Sequence, residues 1–292
     1  MNKLLVIAHR EDEKPIAIEK SLQLAEKYNA EIHIMAFCYE EFESIGGFAA
    51  KQLEQVKQQI IDKRHQWLQE LVSNIDADGL KITFDVQWQK DIYKSVLAEI
   101  ESNTYQLIVT QRHRTESFFH VPTEWYLLRE SQIPVYLAHE DRWISKANVV
   151  AAVDLKNTSA EGILMRQQVL KSAKEFADTL GATLHCVFSF ELPEVLIDLD
   201  VIDKEDYQKD VHDKYYPNLI SIAKDYGISE ECVHVKFGSP ERSVASVATK
   251  AKAHTVVIGS LARKGLTGKL VGNTAEKLAE YLHTDMLIIA PQ

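Results

Sequence analysis

The chain has 292 residues, of which 46% are hydrophobic and 26% are charged, and its formal net charge is -10 at pH 7. This length and hydrophobic content predict a globular protein with two domains of ordinary size. The acidic balance argues against general binding of a nucleic-acid backbone, and no apolar run reaches the length of a membrane span. Three widely spaced cysteines predict reduced thiols in a cytosolic protein.

Short apolar runs alternate with amphipathic helical stretches along the first half. The run at 4–8, like that at 149–153 in the second half, predicts a strand that is buried on both faces of a parallel sheet, and 29–35 predicts the second strand. Further strands are predicted at 80–88, 106–110 and 134–138, and helices at 15–28, 92–100 and 124–129, with a long polar helical stretch after the second strand.

The second half repeats this order of elements. Strands are predicted at 149–153, 181–187, 232–237, 255–259 and 286–290, and helices at 160–180, 243–251 and 274–282. Strands that alternate with helices indicate an α/β fold, with one doubly wound parallel sheet of five strands in each half. The predicted domains are residues 1–140 and 147–292, with a short linker between them.

The turn after the fourth strand of the second half has a composition that suits a phosphate. It runs from Gly259 to Thr274 and contains further glycines, Arg263, Lys264 and Lys269. A helix follows, so its amino end and the loop amides would point at an anion near the strand's carboxyl end. The corresponding turn of the first half, 110–124, has no glycine. The sequence therefore predicts an anion site in the second half.

These features resemble the universal stress protein family along the whole chain, once in each half. The resemblance is carried by Val153-Asp154 after a first strand, Gly238-Ser239-Pro240 after a third strand, and the loop 259–273 after a fourth. The ending Gly272-Asn273-Thr274-Ala275-Glu276 is most similar to the tandem, E-type members. The resemblance implies a strand order of three, two, one, four, five and a cytosolic stress-response role. It also implies ATP at the carboxyl edge of the sheet, as in many members.

By this resemblance, Asp154 contacts adenine and ribose, and Ser189 lies where a second-strand backbone meets the base. The family pattern G-x2-G-x9-G-[ST] falls on Gly259, Ala262, Gly272 and Asn273, so the spacing is kept while two identities change. An alanine at a position of positive φ would cost about 1 kcal/mol in backbone strain and weaken binding severalfold. The remaining predicted ligand residues are Ser260, Arg263 and Thr274. Mg²⁺ would enter with ATP, and no protein metal ligand is assigned.

In the first half, the resemblance places His9 at the position of Asp154, Gln89 at that of Gly238, and Thr110 at that of Gly259. Proline at 122 has no N–H to offer a phosphate, and the bulky residues 112–119 would fill the space. The first half is therefore predicted to be a domain with a degenerate site.

Other interpretations remain open at this point. Asp154 can serve a turn instead of a ligand. The apolar connection 188–202 can be a lid, in which case the ligand is a nucleotide-sugar or lipid conjugate, or it can pack against the other half or a partner chain. A ligand-free interaction scaffold is a third possibility. An enzyme is not predicted, because a GxSxG elbow is missing. The two halves are expected to pair through their fifth strands as an internal pseudo-dimer, with a homodimer as a further option.

Overall fold

The computed structural model describes residues 2–42, 50–75, 79–111, 123–140, 148–191, 194–260 and 273–290. The chain divides into two compact units, Met1–Ala138 and His139–Gln292. Within the described residues, each unit has five strands with helices in the connections between them. The predicted α/β class with doubly wound parallel sheets is confirmed.

The first unit follows the predicted order of elements. Its elements are β1 (Asn2–Ile7), α1 (Ile16–Tyr28), β2 (Ala30–Cys38), α2 (Ala50–Ser73), β3 (Ile82–Trp88), α3 (Ile92–Ser102), β4 (Leu107–Gln111), α4 (Thr123–Glu130) and β5 (Val135–Ala138). The strands pair in parallel in the order β3-β2-β1-β4-β5. Asn29 ends α1 in the left-handed conformation, with a φ of 47°, so the chain turns directly into β2.

The second unit has the same arrangement with one additional short helix. Its elements are β6 (Asn148–Ala152), α5 (Ala160–Leu180), β7 (Thr183–Phe190), α6 (Glu194–Asp198), α7 (Lys204–Asp225), a 3-10 helix (Glu230–Cys232), β8 (Val233–Phe237), α8 (Pro240–Lys250), β9 (Ala253–Gly259), α9 (Asn273–Tyr281) and β10 (Asp285–Ile289). The strands pair in parallel in the order β8-β7-β6-β9-β10.

The central strands form the core of each unit. Leu4, Leu5 and Val6 in β1 have no exposed surface, and Val149 and Val150 in β6 are equally buried. Burying one such side chain stabilises the fold by about 1.5–3 kcal/mol. The continuous apolar runs of the sequence are therefore strands covered on both faces.

Local signals fix several helix ends. The Ser159 hydroxyl accepts a hydrogen bond from the Gly162 N–H at 3.1 Å and caps α5, which ends at Gly181 in the left-handed conformation. Helix α8 begins at Pro240, earlier than the predicted start at 243, because proline is tolerated in the first helical turn. Helix α7 contains Pro217 in its interior.

The strand order places a topological switch point in each unit. In the second unit, β6 lies between β7 and β9, so the connections that leave β6 and β9 run in opposite directions along the sheet. Open α/β sheets form a crevice at this position, outside the carboxyl ends of the two strands. The corresponding position in the first unit lies at the carboxyl ends of β1 and β4.

Candidate functional site

Asp154 stands at the switch point of the second unit, two residues after β6. Its Oδ1 accepts hydrogen bonds from the backbone N–H groups of Lys156, at 2.8 Å, and Asn157, at 3.4 Å. Its Oδ2 has no partner among the residues that the structure describes, and the residue is exposed. One oxygen therefore closes the turn after β6, and the other is not used in that turn.

Two basic side chains lie close to Asp154. Arg166, in the second turn of α5, donates from Nη1 to the Asp154 backbone oxygen at 3.2 Å. The Nζ atom of Lys156 lies 5.0 Å from the centre of the Phe190 ring, at the end of β7. Neither side chain was among the predicted ligand residues, although Lys156 lies only two positions after Asp154. Both side chains carry a positive charge, and that of Arg166 contacts the backbone of Asp154 directly.

Gly259 ends β9 and packs closely against α5. A Cβ atom at this position would lie 2.4 Å from Met165 Sδ and 3.2 Å from Val169 Cγ2. The next residue, Ser260, is buried, and its N–H donates to the Ile289 oxygen at 2.9 Å. Packing against α5 therefore explains the glycine. The first amide after β9 donates to the last carbonyl of β10, so it is not open to a ligand.

The other predicted ligand residues are only partly covered by the structure. Ser189 lies near the end of β7, half-buried, and pairs with Lys236 of β8. Asn273 begins α9, and Thr274 is its second residue. The remaining three, Ala262, Arg263 and Gly272, lie outside the described residues. The structure therefore brings Asp154, Gly259 and Ser260 to one crevice and places Ser189 on the neighbouring strand.

The carboxyl edge of the first unit can be aligned with this site through the backbone. The residues before His9 and before Asp154 each donate an N–H to the second strand of their unit, at 2.9 and 3.0 Å. Gln89 and Gly238 each donate an N–H to the last carbonyl of the second strand, at 3.1 and 2.7 Å. His9 and Gln89 therefore occupy the positions that the sequence analysis gave them.

The predicted equivalence of Thr110 and Gly259 is wrong by one residue. Counted from their pairing with the first strand of each unit, Thr110 aligns with Ile258, and Gln111 aligns with Gly259. The error arises because the loops after the two strands have no common landmark, whereas the register is set by the backbone ladder.

Side chains of α2 cover the edge of the first unit at His9. The Arg64 guanidinium donates from Nη2 to the His9 backbone oxygen and lies 4.2 Å from the centre of the Trp67 ring. The His9 ring meets Trp67 edge-on at 5.2 Å. Arg64 and His9 are 6% and 2% exposed, so this space is filled. The residues that the sequence analysis expected to fill it, 112–119, lie outside the described residues.

Gln111 completes this covering at the start of α1. Its Oε1 accepts from the Ala17 N–H at 3.4 Å, and its Nε2 donates to Glu13 Oε2 at 3.3 Å. An amide at the start of α1 is therefore satisfied by a side chain of the same unit. The equivalent Gly259 has no side chain to reach α5 in this way.

The apolar connection after β7 is exposed. Val195, Leu199 and Val201 have relative exposures of 70%, 67% and 65%. Most of the surface of these three side chains is therefore open to solvent.

The other reactive side chains that the structure describes were compared with the needs of a metal site and of a nucleophile. Across the described ranges, groups of three or more His, Cys, Asp or Glu side chains that could hold a metal ion are absent. Burial raises the pKa of the Cys186 thiol to about 12 and also raises the pKa of Cys38, so both are poor nucleophiles near neutral pH. None of the described helices is both long and apolar enough to cross a membrane.

The chain is similar to known proteins along its whole length. Residues 148–290 match the model of the Universal stress protein family. Universal stress protein E of Escherichia coli (strain K12) is 25% identical over an alignment of 297 positions, gaps included. The alignment covers 99% of this chain and 94% of the relative. The Universal stress protein E homolog of Haemophilus influenzae is 23% identical, and the alignment covers 99% of this chain and 97% of the homolog. The crystal structure of a putative universal stress protein from Pseudomonas aeruginosa UCBPP-PA14 aligns with a TM-score of 0.71 at 23% identity, over 99% and 93% of the two chains.

Proposed function

Because the chain belongs to the universal stress protein family, we propose that it is a stress-response protein that binds a phosphate-bearing ligand, with ATP as the leading candidate, in its second unit. The proposal assigns residues 147–292 as the ligand-binding domain and residues 1–140 as a domain with a degenerate site. The protein acts through a ligand-dependent surface rather than through catalysis.

The difference between the two switch points carries this proposal. In the second unit, Asp154 is exposed, Arg166 donates to its backbone oxygen, and the ammonium of Lys156 lies over the ring of Phe190 on the neighbouring strand. At the equivalent position of the first unit, His9 lies under the Arg64 guanidinium and the Trp67 indole. A ligand can approach the Asp154 carboxylate, whereas a ligand at His9 would have to displace buried side chains.

The proposed contacts follow from the chemistry of these groups. The open Oδ2 of Asp154 accepts hydrogen bonds, which suits a ribose hydroxyl or an adenine amino group. The phosphates would lie between the basic side chains and the loop that precedes α9, where Arg263 and the amides of Gly272 and Asn273 are the proposed donors. Mg²⁺ would enter with ATP and be held mainly by the phosphates, because the described residues contain no protein cluster for it.

Calorimetric titration with Mg-ATP tests the proposal. The wild type is expected to bind one ATP per chain. Asp154→Asn keeps an oxygen that can close the turn but replaces the open oxygen with a donor, so affinity should fall about tenfold or more while stability stays unchanged. Gly272→Pro removes a proposed amide donor and should also weaken binding.

Asp225→Asn is the matched control, because it neutralises an exposed carboxylate at the far end of α7. It should bind ATP like the wild type. Full affinity in both Asp154→Asn and Gly272→Pro, or two ATP molecules per chain, would refute the proposed site.

A ligand-free interaction scaffold is the second candidate function, and the exposed side chains of Val195, Leu199 and Val201 favour it. Native mass spectrometry of freshly purified protein separates the two candidates. A bound small molecule that is lost in Asp154→Asn supports the ligand-binding function, and a mass equal to that of the chain alone, with no ATP binding in calorimetry, supports the scaffold.

A further inference from the structure

The connection between β7 and α7 combines apolar and acidic side chains on an exposed surface. We refer to residues 194–206 as the acidic-apolar connection. Val195, Leu199 and Val201 are 70%, 67% and 65% exposed, more than any other exposed large apolar side chain that the structure describes. Water contact with three neighbouring apolar side chains is unfavourable, and such patches mark interaction sites.

The connection orders its side chains in two adjacent rows. The Leu199 N–H donates to the Val195 oxygen at 3.2 Å, so these two apolar residues lie one helical turn apart. Glu194 and Asp198 have the same spacing and form a neighbouring acidic row. Asp200 ends the turn in the left-handed conformation, with a φ of 53°. The surface therefore presents an apolar row beside an acidic row, an arrangement suited to a groove in another protein.

The charge of the connection is concentrated and largely unpaired. It has six acidic residues and one basic residue, a net charge of -5 in a chain whose net charge is -10. Three of the six serve α7, because Asp203 caps it and Glu205 and Asp206 lie in its first turn. The other three, Glu194, Asp198 and Asp200, have no side-chain hydrogen bond or ion pair among the described residues. Glu194 lies in the first turn of α6, whereas the positions of Asp198 and Asp200 are not explained by a helix start.

We propose that the acidic-apolar connection is a docking surface for another protein that presents an apolar surface with a basic rim. Charge selects this partner over the alternatives. A second copy of the chain would bring the same negative segment against this one, and an anionic lipid surface would repel it. The surface consists of side chains of the connection alone and includes none of the residues of the proposed ligand site.

Fluorescence anisotropy with two labelled synthetic peptides tests the proposal. The first peptide places leucine and lysine at helical spacing, so that it has one apolar face flanked by lysines. The second has the same composition in a shuffled order without such a face. The wild type should bind the first peptide at least tenfold more tightly. The variant Val195→Ser/Leu199→Ser/Val201→Ser should lose most of that difference.

The charge contribution is tested with Glu194→Gln/Asp198→Asn/Asp200→Asn, in which asparagine still tolerates the left-handed conformation at 200. This variant should bind both peptides more weakly at low salt and show a smaller salt dependence. Two control variants should bind like the wild type. Ile163→Ser/Leu164→Ser removes the exposed apolar pair of α5, and Glu175→Gln/Asp210→Asn/Asp225→Asn neutralises three exposed carboxylates outside the connection.

Several results would overturn the proposal. One is equal binding of the helical peptide by the wild type and the triple serine variant, provided that circular dichroism shows both to be folded. Another is an equal loss of binding in either control variant. Dimers that dissociate in the triple serine variant would show that a second copy is the partner, and sedimentation with phosphatidylglycerol vesicles would show that a lipid surface is.

Discussion

Replacing Gly259 with alanine is expected to destabilise the second unit through α5. The new Cβ would lie 2.4 Å from Met165 Sδ, 2.6 Å from Met165 Cγ and 3.2 Å from Val169 Cγ2. Favourable contacts between carbon atoms lie at about 3.5–4.0 Å. Met165 is 6% exposed and cannot move outward without losing its own packing. Overpacking of this kind costs about 1–3 kcal/mol, which corresponds to a fall in Tm of roughly 3–10 °C for a unit of this size.

A double-mutant cycle with Met165→Ala identifies the contact responsible. Met165→Ala alone should cost about 2–4 kcal/mol, because it leaves a cavity against β9. Adding Gly259→Ala to that variant should cost much less than it does in the wild type, giving a coupling of about 1–2 kcal/mol between the two positions. Denaturant unfolding followed by circular dichroism measures all four proteins.

The same four proteins are then titrated with Mg-ATP. If packing is the reason for the glycine, the double variant should bind ATP with an affinity close to that of Met165→Ala. Unchanged stability in Gly259→Ala together with a loss of ATP binding would refute the packing explanation and assign the glycine to the ligand.

Two further predictions concern the first unit and the response to pH. Arg64→Ala should lower the free energy of unfolding of the first unit by about 2–4 kcal/mol, and Arg64→Met by less, because methionine keeps most of the volume. Tryptophan fluorescence follows this transition, because three of the four tryptophans lie in the first unit, and an unchanged midpoint in Arg64→Ala would contradict the prediction. Burial lowers the pKa of His33, His185 and His234, so the unfolded chain binds protons more readily than the folded one and the free energy of unfolding should fall as pH decreases through about 6.5. His185→Gln/His234→Gln should flatten this dependence in chemical unfolding, and a stability that rises on acidification would count against it.

The fold could be predicted because its signals are local. Helix α5 has the predicted bounds, 160–180, since Ser159 and Gly181 mark both of its ends in the sequence. The predicted start of α8 was late, because Pro240 was treated as part of a turn rather than as a first helical residue. Hydrophobic runs and caps depend on a few neighbouring residues, so a single sequence reveals them.

The contacts at the two switch points depend on distant parts of the chain. The cover over His9 comes from Arg64, and the packing of Gly259 comes from Met165 on α5. A single sequence shows that these residues exist but not that they meet. The equivalence of Gln111 and Gly259 was found from the pairing of β1 with β4 and of β6 with β9. This pairing also joins distant parts of the chain, so the sequence alone did not reveal it.

The proline inside α7 has a mechanical consequence. Pro217 has no N–H to donate to the carbonyl four residues earlier, and it lies on the exposed side of the helix. One backbone hydrogen bond is already missing at this point, so the helix bends more easily here than elsewhere. A displacement of the amino end of α7 would therefore tilt the helix at Pro217. The buried residues Leu219 and Ala223, which follow the proline, would move less.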